Sequence, residues 1–274
     1  MRNSLPLASL AATLVILTGM LRAETAPRQW DYPPAARGPV VDDYHGVPIP
    51  DPYRWLEDVD SPATQAWVEA ENRLTFGFVR GLPRRAWFHD RLTKLWNFPR
   101  YGLPFKEAGL TFFTRNNGLQ NQAVLCVQAG AGAPERVLLD PNSLAADGTV
   151  ALASAAVSRD GKWLAYGLAA AGSDWNEIRV RSVATGADTP DVVRWVKFSE
   201  PSWTADGRGF FYSRFPEPAA GGARSGATFG DLSNDRVYYH LLGTAQSADR
   251  LVFEMPSQPK WFFNATATED GRYA

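Results

Sequence analysis

The chain has 274 residues, 45% hydrophobic and 12% aromatic, with 28 Lys and Arg against 29 Asp and Glu. That is enough apolar mass for one or two domains with a true core, and a formal net charge of −1 excludes a nucleic-acid footprint. A single cysteine, Cys126, excludes an internal disulfide framework and any Cys-based zinc site.

Residues 1–23 read as an export signal. Met1-Arg2 precedes an apolar, charge-free stretch over residues 5–21, after which Arg22-Ala23-Glu24 returns to polar residues. These are the n-region and h-region of a signal peptide, with Ala23 as the expected cleavage position. An uncut signal anchor is the alternative, since the apolar stretch sits at the lower limit for a span. Either way the folded part is expected to be exported, as a periplasmic protein, with no membrane contact beyond this segment.

Residues 24–98 form a second region. Pro27, Pro33, Pro34 and Pro39 favour an extended lead-in. Ser61-Pro62 reads as an N-cap followed by proline at the first helical position. Ala63, Trp67, Ala70, Leu74 and Phe78 then follow at helical spacing until Gly81 and Pro83. A second helix carries Phe88, Leu92, Leu95 and Trp96 on one face and stops at Asn97-Phe98-Pro99. Two amphipathic helices of this length need a further surface to cover their stripes.

From residue 99 onward a short pattern repeats. It reads Ala156-Val157-Ser158-Arg159-Asp160-Gly161-Lys162-Trp163-Leu164, then Ser202-Trp203-Thr204-Ala205-Asp206-Gly207-Arg208-Gly209-Phe210, then Ala267-Thr268-Glu269-Asp270-Gly271-Arg272-Tyr273. Asp-Gly signals a two-residue hairpin, because a primed turn needs positive φ and glycine adopts it freely. Asp160 and Asp206 lie 46 positions apart, which suits one four-stranded blade of a β-propeller. Asp206 and Asp270 lie 64 apart, so an insertion is expected over residues 216–235, rich in Gly, Ala and Ser. Glu107-Ala108-Gly109-Leu110 is a degenerate earlier copy. Further strands are expected over 123–128, 136–139, 177–183, 237–242 and 251–255. The fold expected is mainly β: about three blades and the start of a fourth over 99–274, preceded by the helical segment. Such a chain would leave sheet edges and helix faces uncovered, and so be sticky and marginally stable alone. Cys126 lies in an apolar strand and reads as a buried small hydrophobe. Asp160 and Asp206 lack the dense oxygen-ligand loop of a calcium site.

Asp42-Asp43-Tyr44-His45-Gly46-Val47-Pro48-Ile49-Pro50-Asp51-Pro52-Tyr53-Arg54-Trp55-Leu56-Glu57-Asp58 resembles the N-terminal signature of the prolyl oligopeptidase family of serine peptidases. The resemblance continues in order through Leu139-Asp140-Pro141-Asn142, Gly172-Ser173-Asp174-Trp175, Val196-Lys197-Phe198-Ser199 and Tyr238-Tyr239-His240-Leu241-Leu242-Gly243-Thr244. It implies a seven-bladed propeller set over an α/β-hydrolase domain, admitting only short peptides to a serine nucleophile that cuts after proline. It also implies that the N-terminal helices pack on that hydrolase domain, whose main part would follow residue 274. Two substrate-pocket residues carry over. Phe198 comes from the Val-Lys-Phe-Ser motif, and Phe262 follows Pro259-Lys260-Trp261 where the family often has Met.

The chemistry of acyl transfer is expected elsewhere. A hydrolase of this kind needs Gly-x-Ser-x-Gly at a sharp elbow, and the sequence contains none; Ser225, between Arg224 and Gly226, has the wrong spacing. Of the three histidines, His45, His89 and His240, none has a catalytic motif around it, and each reads as structural or surface. Glu57, Asp58 and Asp60 read as a helix-start cluster. No catalytic residue is therefore assigned to this chain, and no metal or organic cofactor is implied. Short proline-containing peptides and the hydrolase domain are the partners implied. A non-catalytic exported propeller that binds peptides or proteins is the alternative, and the segment 42–58 speaks against it.

Overall fold

The computed structural model describes residues 30–130, 132–170, 172–217 and 232–274. The proposed signal segment and most of the expected insertion, with Ser225, lie outside these residues. The described part opens with a hairpin, β1 (Val41–Tyr44) and β2 (Val47–Pro50). His45 and Gly46 turn it, both at positive φ (57° and 86°), and the Asp43 carboxylate accepts the Gly46 amide at 2.6 Å. The Arg54 guanidinium ties this hairpin to the following segment. It donates to Asp42 and, at 2.5 Å, to Asp51, which raises its pKa further. Asp42, Asp51 and Glu57 of the 42–58 signature thus cluster on Arg54.

Helix α1 spans Pro62–Arg80 and α2 spans Arg85–Trp96. The Ser61 hydroxyl accepts the Thr64 amide at 3.2 Å, as the capping reading required. Trp67, Ala70, Leu74 and Phe78 are half-buried along α1. On α2 the apolar face is bare: Phe88, Leu92, Leu95 and Trp96 are all more than half exposed.

Three antiparallel sheets follow. Sheet I contains β3 (Arg100–Tyr101), β4 (Phe105–Glu107), β5 (Leu110–Asn116), β6 (Val124–Gln128) and β7 (Glu135–Leu139). Here β3 and β4 pair with opposite ends of β5, so they act as one edge strand broken at Gly102-Leu103-Pro104. Sheet II is a meander of β8 (Val150–Val157), β9 (Trp163–Ala170), β10 (Asn176–Ser182) and β11 (Asp188–Val196). Sheet III repeats it with β12 (Ser202–Trp203), β13 (Gly209–Arg214), β14 (Arg236–Leu241) and β15 (Arg250–Phe253). One core cluster joins sheets I and II through Phe112, Leu125, Leu139, Leu164 and Tyr166. A second joins sheets II and III through Ile178, Val193, Val196, Trp203, Phe210 and Tyr212. Each such fully buried side chain contributes about 1.5–3 kcal/mol. Cys126 is fully buried in sheet I, and burial pushes its thiol pKa up.

The Asp-Gly turns differ from the two-residue primed form expected. In each, positive φ falls on glycine alone: 69° at Gly161, 65° at Gly207 and 69° at Gly271. The Gly161 amide donates to Ser158 O at 2.8 Å and Ser158 N to Trp163 O at 2.8 Å, which makes a longer loop built on a type I turn. The aspartate earns its place by side-chain bonding. Asp160 Oδ1 accepts from the Ser158 hydroxyl at 2.7 Å and the Lys162 amide at 3.2 Å. Asp206 does the same with Thr204 and Arg208, at 2.6 and 3.1 Å. Asp270 does so with Thr268 and Arg272, at 2.7 and 3.1 Å. Only the degenerate copy, Ala108-Gly109, is a two-residue turn with both φ positive (50° and 79°). The turns also stack on one another. A Cβ at Gly161 would meet Ala108 Cβ at 2.7 Å, one at Gly207 the Asp160 carboxylate at 3.3 Å, and one at Gly271 the Ala205 Cβ at 2.5 Å.

Buried polar groups stitch the sheets together. Tyr166 donates to Asp188 at 2.8 Å, and Arg181 grips Asp188 at 2.7 and 2.8 Å while reaching Leu138 O of sheet I at 2.9 Å. Burial, then Asp188, pushes the Tyr166 hydroxyl up to about 12. Tyr212 likewise donates to Asp249 at 2.6 Å. His240 lies between Asp249 (2.7 Å) and Asp191 of sheet II (3.1 Å).

Candidate functional site

The chain crosses from sheet II to sheet III through Val196-Lys197-Phe198-Ser199. Its backbone is unusual there, because Trp195 and Phe198 sit at positive φ (64° and 58°). A bulky residue in that region costs on the order of 1–3 kcal/mol and persists only where the surroundings hold it. Two hydrogen bonds hold it: Phe215 N donates to Trp195 O at 3.0 Å, and Ser213 N to Ser199 Oγ at 2.8 Å.

Phe262 arrives from the segment after β15. Its ring stacks on Phe198 with centroids 6.0 Å apart and planes at 25°, and meets the buried Phe215 edge-on at 5.4 Å. Phe198 and Phe262 remain 55% and 49% exposed. Two residues 64 positions apart are therefore brought into one half-open aromatic platform.

Behind the platform lies a buried lysine. The Lys197 side chain is 3% exposed and its ammonium is 3.7 Å from Asp174. The ammonium also sits 5.2 Å from the centre of the Trp175 ring and 5.3 Å from that of Phe198, a cation–π arrangement on two faces. Beside Phe198 a cavity of about 340 Å³ is lined by Ser154, Asp174, Asn176, Ser199 and Glu200 among others. The site combines an apolar platform with carboxylates at its edge.

The remaining candidates fall apart. His45 is exposed at the hairpin tip, and His89 is exposed on α2 beside Asp90 at 3.4 Å. His240 is fully buried, with both ring nitrogens engaged by carboxylates, so it is not free to activate a serine. Glu57, Asp58 and Asp60 are exposed and lie before α1. Lys197 and Trp175 stood inside the resembling motifs, but nothing local marked Phe215, whose role comes from packing alone.

Known proteins are similar to this chain. The prolyl oligopeptidase N-terminal beta-propeller domain matches residues 33–274. The chain belongs to the prolyl oligopeptidase family. It is 38% identical over 242 residues to a prolyl endopeptidase of Elizabethkingia meningoseptica, covering 88% of this chain and 34% of that one. It is 36% identical over 274 aligned positions to prolyl oligopeptidase A of Amanita bisporigera, covering 89% and 36%. A solved prolyl endopeptidase superposes with a TM-score of 0.78 at 32% identity, over 88% of this chain and 35% of that one. Prolyl oligopeptidase B from Galerina marginata, solved bound to a 25mer macrocyclization substrate, superposes with a TM-score of 0.73 at 30% identity, over 88% and 36%. The chain thus spans about a third of the length of these family members.

Proposed function

We propose that this chain is the N-terminal part of an exported prolyl oligopeptidase, a serine endopeptidase that cuts short peptides after proline. The observation that carries the reading is the family match over residues 33–274 at about a third of the relatives' length. In this reading residues 1–23 are the signal, 24–98 the segment that packs on the hydrolase domain, and 99–274 part of the propeller. Sheets I to III are three blades of seven, and the Asp270-Gly271 turn opens a fourth. The bare apolar face of α2 is the surface the hydrolase domain covers.

The catalytic Ser, Asp and His belong to that domain, so these residues alone lack the nucleophile and base that acyl transfer requires. The propeller restricts entry, and Phe198 and Phe262 form an apolar wall for a residue on the N-terminal side of the proline. Phe262 makes that wall flatter and stiffer than a methionine would. The test compares two proteins on a Gly-Pro amide substrate. The full-length protein is expected to turn it over and to lose activity to a serine-directed inhibitor, whereas residues 24–274 alone are expected to give none. Turnover by residues 24–274, or an inert full-length protein, would refute the proposal.

A further inference from the structure

Asp235 is a buried carboxylate immediately before β14. It is 2% exposed, and its Oδ1 has no hydrogen-bond partner among the described residues. Burial pushes its pKa up against the opposing pull of the Phe263 amide, the Ser213 hydroxyl and the Arg236 amide. A buried carboxyl with one oxygen unpaired is costly, and such groups call for an explanation. Its bonded oxygen supplies one. Asp235 Oδ2 accepts the backbone N–H of Phe263 at 2.7 Å, and Phe263 is the residue next to Phe262. The preceding Asn234, at φ 62°, donates its amide to Pro259 O at 2.7 Å, so the segment 259–263 is held at two points. On the other side the same carboxyl faces Ser213, whose amide donates to Ser199 Oγ at 2.8 Å, and Ser199 is the residue next to Phe198. Two hydrogen bonds, Ser213 N to Ser199 Oγ and Phe263 N to Asp235 Oδ2, thus anchor the residues next to the two aromatic rings.

We propose that Asp235 is the positioning residue of the Phe198–Phe262 platform, fixing the backbone that presents Phe262 so that the two rings stack at the mouth of the peptide site. This rests on the reading of that platform as a peptide-contact surface. Asp235 touches no substrate; it acts through the Phe263 amide. An asparagine would keep the required acceptor and remove the buried charge. Alanine would remove the acceptor and leave the Phe263 N–H unsatisfied. Serine would keep a polar atom at the position but fall short of the amide.

The test uses the full-length protein labelled with 4-fluorophenylalanine, with the Phe262 resonance assigned by its loss in Phe262→Leu. In Asp235→Ala and Asp235→Ser that resonance is expected to move toward the position of an exposed ring, and in Asp235→Asn to stay. The serine variant keeps the test open should the alanine variant fail to fold. In parallel, KM for a peptide long enough to reach the platform is expected to rise roughly five- to tenfold in the alanine or serine variant at unchanged kcat, with recovery in the asparagine variant. An unmoved resonance in Asp235→Ser would overturn the proposal, as would an asparagine variant that behaves like serine. A moved resonance with an unchanged KM would uphold Asp235 as the positioning residue and refute the platform as a peptide-contact surface.

Discussion

Replacing His240 by leucine should open the seam between sheets II and III. The imidazole is fully buried, and its two partners, Asp191 and Asp249, have side chains 2% and 0% exposed. Tyr212 Oη and Gly243 N each donate to one of these carboxylates at 2.6 Å, but neither supplies a charge. Leucine would leave two buried carboxylates facing each other without a cation. Breaking a buried charge cluster by removing one partner costs about 3–5 kcal/mol, or roughly two to four decades in a local opening equilibrium. Hydrogen exchange of peptides covering 188–196 and 236–244 reads that equilibrium directly, up to the ceiling set by global unfolding. Burial works against the His240 charge, yet the hydrogen bonds and charges of Asp249 and Asp191 outweigh it and raise the pKa above its usual 6.5. A raised histidine gives its full stabilisation below 6.5 and loses it as pH rises through the folded value. Protection of the native seam, corrected for intrinsic exchange, should therefore fall as pH rises above the usual histidine value and through the raised folded one, and in the leucine variant it should be low throughout. Unchanged protection in that variant, or a pH-independent native seam, would refute the reasoning.

Two further expectations follow from packing. Gly161→Val places a branched side chain at φ 69°, with its Cβ 2.7 Å from Ala108 Cβ, and should destabilise by roughly 1–3 kcal/mol in thermal unfolding; Ala108→Gly should recover the clash but not the backbone strain. Phe198→Ala and Phe262→Ala in the full-length protein should each raise KM for a peptide substrate by roughly five- to tenfold and leave kcat for a minimal Gly-Pro substrate in place. Similar KM for both substrates in both variants would remove the platform from the binding site.

The sequence was most legible where structure is local. Ser61-Pro62 capped a helix as read, the two helical stripes fell on α1 and α2, and the five further strands came within two residues of their observed ends. The turns were found at the right places and given the wrong geometry, because Asp-Gly is compatible with both a primed turn and a type I turn followed by a left-handed glycine. The serine or threonine two positions before each aspartate was the discriminating letter, since its hydroxyl closes the longer loop. Strand β11 was missed because Thr189-Pro190-Asp191 contains a proline. It is tolerated on the edge of sheet II, at a register shift against β10. The β1–β2 hairpin was hidden by its prolines for the same reason. Phe198 and Phe262 were nameable only through family resemblance, since no periodicity relates residues 64 apart, and Asp235 carried no local signal at all.

The seams show that the repeating unit is larger than its turn. Tyr166 and Tyr212 each stand six residues after the turn aspartate, and each donates to an aspartate on the outer side of its own sheet. Arg181 pairs with Leu164 in the β9–β10 register, and His240 pairs with Phe210 in the β13–β14 register; Leu164 and Phe210 both stand four residues after that aspartate. The two cations are thus equivalent positions, each linking its sheet's aspartate to the outer strand of the sheet before, through Leu138 O in one case and Asp191 in the other. The chemistry at those positions differs. Arginine keeps its charge at every physiological pH, and its acceptor in sheet I is a neutral carbonyl, so the first seam needs no proton balance. Histidine can lose its charge, and its acceptor in sheet II is a carboxylate, so the polar link of the second seam weakens as the proton leaves, while the apolar cluster remains. One structural repeat therefore yields a joint that responds to pH only in the acid range, through Asp188, and one that responds as a histidine loses its proton, and the latter adjoins the β11–β12 crossing that carries Phe198.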